Sequence, residues 1–181
     1  MVKKVLINQP LEHIQKTTGE YYKILFLMPP RYLKNAPTLQ KLTAKELWRD
    51  LPAIVDAKWK IVLKDPYETK KSRVLLNLGH TVGHVLEGAL KLPHGKAVHL
   101  GLLFSLRWNR REKDFASILP SQDELAAALK QVKQPEKWLR RDKKLSGKEK
   151  IQFLFVQAPG KAQVKEVGIQ QLVQEWKRQA Q

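Results

Sequence analysis

A guanidinium, an amide and three imidazoles interrupt the apolar stretch RVLLNLGHTVGHVLEGALKLPHG (residues 73–95), and they constrain the fold more than any other feature. They are Arg73, Asn77, His80, His84 and His94. The first four are spaced by four, three and four residues, so on one α-helix they would share a face. A structural helix would bury aliphatic groups along that face, whereas these nitrogens suit an anion and a metal ion. The pattern predicts a helix over 73–90 carrying such a site, with His94 just past its end as a third imidazole.

The histidine pair alone leaves a second interpretation open. Two histidines four residues apart occur often by chance, and histidines that are hydrogen-bonded within a core are common. A purely structural role for His80 and His84 is therefore the alternative to a metal site.

The composition limits the kinds of protein this can be. A chain of 181 residues with 43% hydrophobic and 28% charged residues is expected to form one soluble globular domain. It has no cysteine, so disulfides and thiolate zinc sites are excluded and a metal would need histidine and carboxylate ligands. No apolar run reaches membrane-spanning length, and the start MVKKVLINQP lacks the apolar segment of a signal peptide. The expected location is the cytoplasm, with no membrane partner.

The formal net charge of +17 permits nucleic acid, an acidic protein or an anionic small molecule as partner. Lysine and arginine are spread along the chain, with local clusters only near residues 107–111 and 140–144. The sequence has no zinc-finger spacing, RNA-binding aromatic motif or basic zipper. Nucleic acid is therefore not the expected partner.

Periodicity and helix-terminating residues predict a mainly α fold with one carboxy-terminal β-hairpin. Glycines 79, 83 and 88 in the 73–90 helix predict close approach of a neighbouring backbone or a ligand. Before that helix, the sequence predicts a short strand or extended entry over 1–10, a helix over 17–28 ended by Pro29–Pro30, and a helix from a Thr43–Glu46 capping box through Leu63 that Pro52 kinks or splits. After it, the sequence predicts a buried helix over 96–112, a helix over 122–132 behind a Ser121–Glu124 capping box, the hairpin IQFLFVQ–APGK–AQVKEV and a final amphipathic helix over 168–179.

These motifs resemble those of the carboxy-terminal, metal-binding domain of 3-dehydroquinate synthases, which belong to the sugar-phosphate cyclases. The segment LNLGHTVGH, followed by His94–Gly95, is similar to the family signature LNxGHTxGHAxE…HGE. The similarity extends over nearly the whole chain. Further matches are Lys58, Asp65 and Glu68 to the motif K-x6-D-x2-E, residues 141–144 to RDKK, and PLEHIQKTTGEYYK (10–23) to PPRELxxGxAEVIK.

The resemblance implies a set of site residues and cofactors. Glu20, His80 and His94 would hold Zn²⁺ or Co²⁺, leaving open coordination positions as a catalytic site requires. The residues implied to face an anionic sugar-acid phosphate are His84, Lys23, Lys58 and Asn77 as catalytic groups and Arg73, Lys143 and Lys144 as substrate-binding groups. Members of that family catalyse a lyase step in the shikimate pathway of aromatic amino acid biosynthesis. In their reaction NAD takes a hydride before phosphate leaves and the ring closes. His84 is expected to face the cavity without binding the metal.

Three departures from the family pattern matter. The nicotinamide-binding half, with its glycine-rich turn, has no counterpart in this sequence. Residues 1–181 are therefore expected to be the carboxy-terminal domain alone, able to use NAD only through a missing or partner domain. Lys96 stands where the HGE motif has glutamate, which would place a positive charge beside a dication. The segments between Lys23 and Lys58 and between His84 and His94 are shortened.

Two functional hypotheses follow. The leading one is the metal- and substrate-binding half of a 3-dehydroquinate synthase-like enzyme, inactive without an NAD-binding domain or another oligomer partner. The alternative is a degenerate, non-catalytic relative acting as a binding or regulatory module. Lys96, the shortened segments and the positive charge favour the alternative.

Overall fold

The computed structural model describes residues 11–67, 72–141, 145–146 and 149–181. The strand expected over 1–10, and the substrate-binding lysines Lys143 and Lys144, lie outside these residues. Within the described part, no helix is both long and apolar enough to cross a membrane.

Helices make up most of the described chain. The α-helices are α1 (Leu11–Leu27), α2 (Pro30–Lys34), α3 (Ala44–Lys64), α4 (His80–Leu90), α5 (His94–Trp108), α6 (Gln122–Gln131), α7 (Pro135–Leu139) and α8 (Ile169–Gln179). Single 3-10 segments cover Leu39–Lys41, Arg73–Asn77 and Glu112–Ile118. The mainly α class is confirmed.

The predicted hairpin is also confirmed. Strand β2 (Lys150–Ala158) pairs antiparallel with β3 (Lys161–Gly168), and a two-residue strand β1 (Leu145–Ser146) adds to the free edge of β2. Gly160 in the turn has φ +75°, and its amide donates to the Phe26 carbonyl at 2.8 Å. This contact ties the hairpin to the end of α1.

Helix α5 runs through the centre of the core. Every residue from Ala97 to Leu106 is buried, because α1 and α4 pack on one side and the sheet and α8 on the other. The Ser105 hydroxyl donates to the Leu154 carbonyl at 2.5 Å, and the Gln179 amide donates to the Phe104 carbonyl at 3.1 Å. The prediction of a buried core helix is confirmed, although the helix begins at His94 and ends at Trp108 rather than covering 96–112.

The prediction of one continuous helix over 73–90 is wrong. Residues Arg73–Asn77 form a 3-10 segment, Gly79 turns the chain with φ +77°, and α4 begins at His80. Arg73 and Asn77 therefore do not share a helix face with His80 and His84. Glycine can adopt this left-handed backbone without the steric cost that a Cβ brings.

Several smaller expectations also differ from the structure. Helix α1 begins at Leu11, well before 17, and Pro30 opens a further short helix. Helix α3 runs unbroken past Pro52, so the predicted split is wrong. The Thr43 hydroxyl donates to the Glu46 carboxylate and caps no backbone amide, whereas Ser121 accepts from the Glu124 amide at 3.0 Å as predicted.

Candidate metal centre

Close backbone contacts bring the middle of α1 together with the first turns of α4 and α5. A Cβ on Gly19 would lie 2.0 Å from the Gly95 carbonyl oxygen, and one on Gly101 would lie 2.0 Å from that of Gly79. Larger residues at these positions would push the helices apart. Glu20 follows Gly19, His94 precedes Gly95 and His80 follows Gly79. The glycines therefore place three potential ligands from three helices side by side.

The three side chains converge on one point. Glu20 Oε1 lies 3.2 Å from His80 Nε2 and 3.6 Å from His94 Nε2. One ligand atom from each residue lies within 4.8 Å of the others, and within the described chain these three form the group that could hold a metal ion. Glu20 and His80 are half-buried and His94 is exposed, so the centre opens to solvent on one side.

Hydrogen bonds on the far side of both imidazoles fix their orientation. His80 Nδ1 lies 3.1 Å from the Leu78 carbonyl oxygen, and His94 Nδ1 lies 2.9 Å from Glu87 Oε2. A carbonyl and a carboxylate accept hydrogen bonds, so each Nδ1 carries the proton and each Nε2 is left facing Glu20. This is the arrangement that orients histidine ligands in metal sites. The donor set of two imidazole nitrogens and a carboxylate fits a divalent ion such as zinc.

Glu87 is not among the site residues that the sequence predicts, although it is the glutamate of the HTVGHVLE stretch. It lies seven residues from the histidine that it orients, on the preceding helix. Only the turn between α4 and α5 brings the two side chains together.

Lys23 forms the buried wall behind the carboxylate. Its ammonium donates to both Glu20 oxygens, at 2.8 and 2.7 Å, and its side chain is almost fully buried. Burial by itself would raise the pKa of Glu20, but the neighbouring His80 ring and the charge and hydrogen bonds of Lys23 outweigh it and lower that pKa to about 2. Glu20 is thus ionised and ready to bind a cation.

Lys58, on helix α3, affects the pKa of Lys23 through its charge. Burial lowers the pKa of Lys23, Glu20 opposes that effect, and the charge of Lys58 lowers it further. Lys58 is exposed on α3. Its expected position near the site therefore agrees with its electrostatic effect on Lys23.

His84 lies beside the cluster as an exposed side chain. Its ring centroid is 5.2 Å from that of His80 and 6.3 Å from that of His94. It does not belong to the group of converging ligand atoms. The core position considered as its alternative does not fit this exposure, and its role as a proton carrier or phosphate contact stays a prediction.

Arg73 and Asn77 lie on the 3-10 segment that precedes Gly79. Asp65 is fully buried and accepts from the Ser72 amide at 3.0 Å and the Arg73 amide at 3.5 Å, which holds the start of this segment. The Arg73 guanidinium donates to the Pro66 carbonyl at 3.2 Å. Both Arg73 and Asn77 are half-buried. Their contact with a substrate stays a prediction.

Lys96, the residue expected to disturb a metal, is paired with an acidic side chain. Its ammonium lies 2.9 Å from Glu124 Oε1 on α6, and both side chains are exposed. The positive charge that the sequence placed beside the metal is therefore matched by a neighbouring carboxylate.

Comparisons with known proteins agree with this geometry. Residues 19–152 match the family model described as 3-dehydroquinate synthase C-terminal. The 3-dehydroquinate synthase of Halalkalibacterium halodurans is 34% identical over 170 residues, covering 80% of this chain and 42% of that protein. The synthase of Natranaerobius thermophilus is 35% identical over 136 residues, covering 60% of this chain and 37% of that protein. This chain thus spans less than half the length of these relatives.

A solved structure shares the fold. A 2-deoxy-scyllo-inosose synthase, complexed with carbaglucose-6-phosphate, NAD⁺ and Co²⁺, matches with a TM-score of 0.68 over 97% of this chain and 55% of that chain. The identity is 17%, so this likeness supports the fold alone.

Proposed function

The chain belongs to the 3-dehydroquinate synthase C-terminal family, and from this premise we propose that it is the metal- and substrate-binding half of a 3-dehydroquinate synthase-like enzyme. The proposed reaction is cyclisation of a heptulosonate phosphate with elimination of phosphate. The proposed cofactors are a divalent metal, zinc or cobalt, on this half and NAD on another.

One observation carries the proposal. Glu20 Oε1 and the Nε2 atoms of His80 and His94 face one another, while both Nδ1 atoms are held by acceptors. Such a cluster needs a proton or a cation at its centre, because neutral imidazole nitrogens and a carboxylate otherwise present only lone pairs. A structural histidine has no need of an open cluster of this kind.

The residues around the cluster have different proposed roles in proton transfer, substrate binding and positioning of Glu20. A bound divalent ion supplies Lewis acidity toward a substrate oxygen. His84, exposed and one helical turn beyond His80, would exchange a proton with the substrate or contact its phosphate. Lys23 holds Glu20 in place from the buried side, and Lys58 and Arg73 would bind the negative groups of the substrate.

NAD must come from a second half. The relatives are more than twice as long as the region they share with this chain, and the resemblance places their nicotinamide-binding half in the part without a counterpart here. NAD supplies the hydride acceptor when that half is present. We propose that this half is provided on the same polypeptide or by a separate chain.

The test is an assay of phosphate release from the heptulosonate phosphate, with NAD and a divalent metal. It is run on this chain alone and on this chain with a competent NAD-binding half. We expect turnover only in the second case. Turnover by the chain alone would contradict our assignment of the oxidant to another half.

No turnover with a competent half would favour the non-catalytic alternative. That hypothesis rested on Lys96, the shortened segments and the positive charge, and the Lys96–Glu124 ion pair weakens the first of these three grounds. No described contact favours it over the catalytic proposal.

A further inference from the structure

Helix α3 has two apolar faces, and only one of them is covered. Leu47, Ile54 and Ala57 pack against the core. On another face, Leu51, Val55, Trp59 and Leu63 are 36%, 56%, 58% and 57% exposed. Each follows the last by four residues, so they form one continuous row along the helix. We call these four residues the α3 stripe.

The α3 stripe is large for an exposed surface. Together with Tyr67, which follows the helix and is 87% exposed, it offers apolar area on the order of 500 Å². The largest apolar patch on a typical monomeric protein is about 300–600 Å², and such a patch is often a functional surface. A stable interface buries about 800 Å² on each partner, so the stripe would form the centre of a larger contact.

The α3 stripe belongs to a helix that is tied directly to the metal centre. The Tyr21 hydroxyl donates to Asp50 Oδ2 at 2.6 Å, which joins α1 to α3 one residue from Glu20. Lys58, proposed to bind substrate, is the residue next to Trp59. A body covering the stripe would therefore lie close to the candidate active site.

We infer that the α3 stripe is the surface on which the NAD-binding half of the proposed enzyme docks. This inference rests on the proposed function, since that function requires such a half near the metal. The matched 2-deoxy-scyllo-inosose synthase carries about as much chain again beyond the shared fold, joined to it in one polypeptide. A second half of that size must cover part of the first.

The charges favour this occupant over a second copy of the chain. Two copies would bring together net charges of +17 each, which repel. The exposed lysines Lys58, Lys60 and Lys64 border the stripe, and of these Lys60 is paired with Asp56 at 2.6 Å. The complementary surface is an apolar groove bordered by carboxylates, into which Trp59 fits as the central anchor.

The experiment uses a chimera with the amino-terminal half of the Halalkalibacterium halodurans synthase placed ahead of the full chain. A chimera whose NAD binding has been verified by fluorescence titration is compared with the full chain alone by amide hydrogen exchange. We expect exchange over residues 51–63 to slow at least about tenfold in the chimera, because docking stabilises an otherwise exposed helix. Exchange in strand β3 should be unchanged.

Two variants of the chimera make the test specific. Trp59→Lys should abolish the added protection while NAD binding persists. Gln171→Lys, which adds the same charge to an exposed position of α8, should leave the protection intact. An NAD-binding chimera with unchanged exchange over 51–63 would overturn the inference. So would a dimer of the chain alone, seen by sedimentation and lost in Trp59→Lys, since a second copy would then occupy the stripe.

The readout is independent of turnover. A chimera that docks but releases no phosphate would contradict the proposed function and leave the docking surface standing. A chimera that releases phosphate but shows no slowed exchange over 51–63 would contradict the docking surface and leave the proposed function standing.

Discussion

Two histidines five residues apart on α5 lie in opposite environments. His94 lies at the exposed end, where the hydrogen bond from its Nδ1 to Glu87 orients the ring with Nε2 toward Glu20. His99, in the buried middle, stacks on Tyr22 with ring centroids 5.3 Å apart and donates from Nε2 to the Ile118 carbonyl at 2.8 Å. The difference shows that neighbouring groups, not residue type, decide whether a histidine joins an open cluster or packs in the core.

The protonation of His99 follows from its environment. Burial lowers the pKa of His99 to about 4, although the hydrogen bond to the Ile118 carbonyl acts in the opposite direction. A neutral, fully hydrogen-bonded ring of this kind is a packing element.

The largest effect is expected from removing a ligand of the cluster. His80→Ala should lower zinc affinity more than about 100-fold, because loss of an outer-shell partner alone costs 10- to 100-fold. His99→Gln, which changes a histidine outside the cluster and keeps a hydrogen-bond donor, should bind one zinc as the unmodified chain does. Metal analysis and chelator competition measure both. Equal loss of zinc in the two variants, or no loss in either, would contradict the proposed difference between the open cluster and the buried His99.

A smaller loss is expected from the residue that orients His94. Glu87→Gln should weaken zinc binding about 10- to 100-fold, because a neutral amide holds the His94 ring less firmly and makes its Nε2 a weaker metal ligand. Glu166→Gln, an exposed change on β3, is the matched control. Unaltered zinc affinity in Glu87→Gln would show that the 2.9 Å contact does not support the cluster.

The buried histidine should be visible in the pH dependence of stability. Because the pKa of folded His99 is about 4 and that of an unfolded histidine is about 6.5, its contribution is complete above pH 6.5 and is lost as pH falls toward 4. From pH 7 to pH 5 this amounts to about 2 kcal/mol. Urea unfolding with a chelator present measures it as the difference between the unmodified chain and His99→Gln.

The comparison with His99→Gln cancels the contributions of all groups that the two chains share. Glu20, with a pKa of about 2, loses its contribution only as pH falls from 4.5 toward 2, below this window. If both chains lose the same free energy of unfolding between pH 7 and pH 5, the buried ring is not protonated on unfolding as we expect.

The smallest effect is expected at Lys96. Because Glu124 already matches its charge, Lys96→Gln should change zinc affinity by less than about threefold, in line with the small energies of exposed ion pairs. A rise of tenfold or more would show that this lysine repels the metal despite its partner. Chelator competition at low and high salt distinguishes the two outcomes.

The sequence predicted much of the architecture because its signals are local. Pro-Gly between two β-rich runs specified the hairpin, and Ser121 with Glu124 specified the start of α6. The 73–90 region was misjudged because the apolar spacing is equally compatible with a continuous helix. The packing of Gly79 against α5 breaks that helix, and this contact is not visible in the local pattern.

The candidate site divides in the same way. The motif selected Glu20, His80 and His94, and the structure brings their donor atoms together, while metal binding itself stays a prediction. The orientation of His94 by Glu87 and the Lys96–Glu124 pair were missed, because each joins side chains from different helices.

By itself, the sequence determined which chemical groups the chain can offer and where its helices and hairpin form, since side-chain identity and local backbone preference act over a few residues. Only the tertiary structure decided which histidines converge on Glu20 and which one is buried. That choice depends on close helix contacts, such as Gly19 against Gly95, and on the acceptors and solvent access that these contacts create.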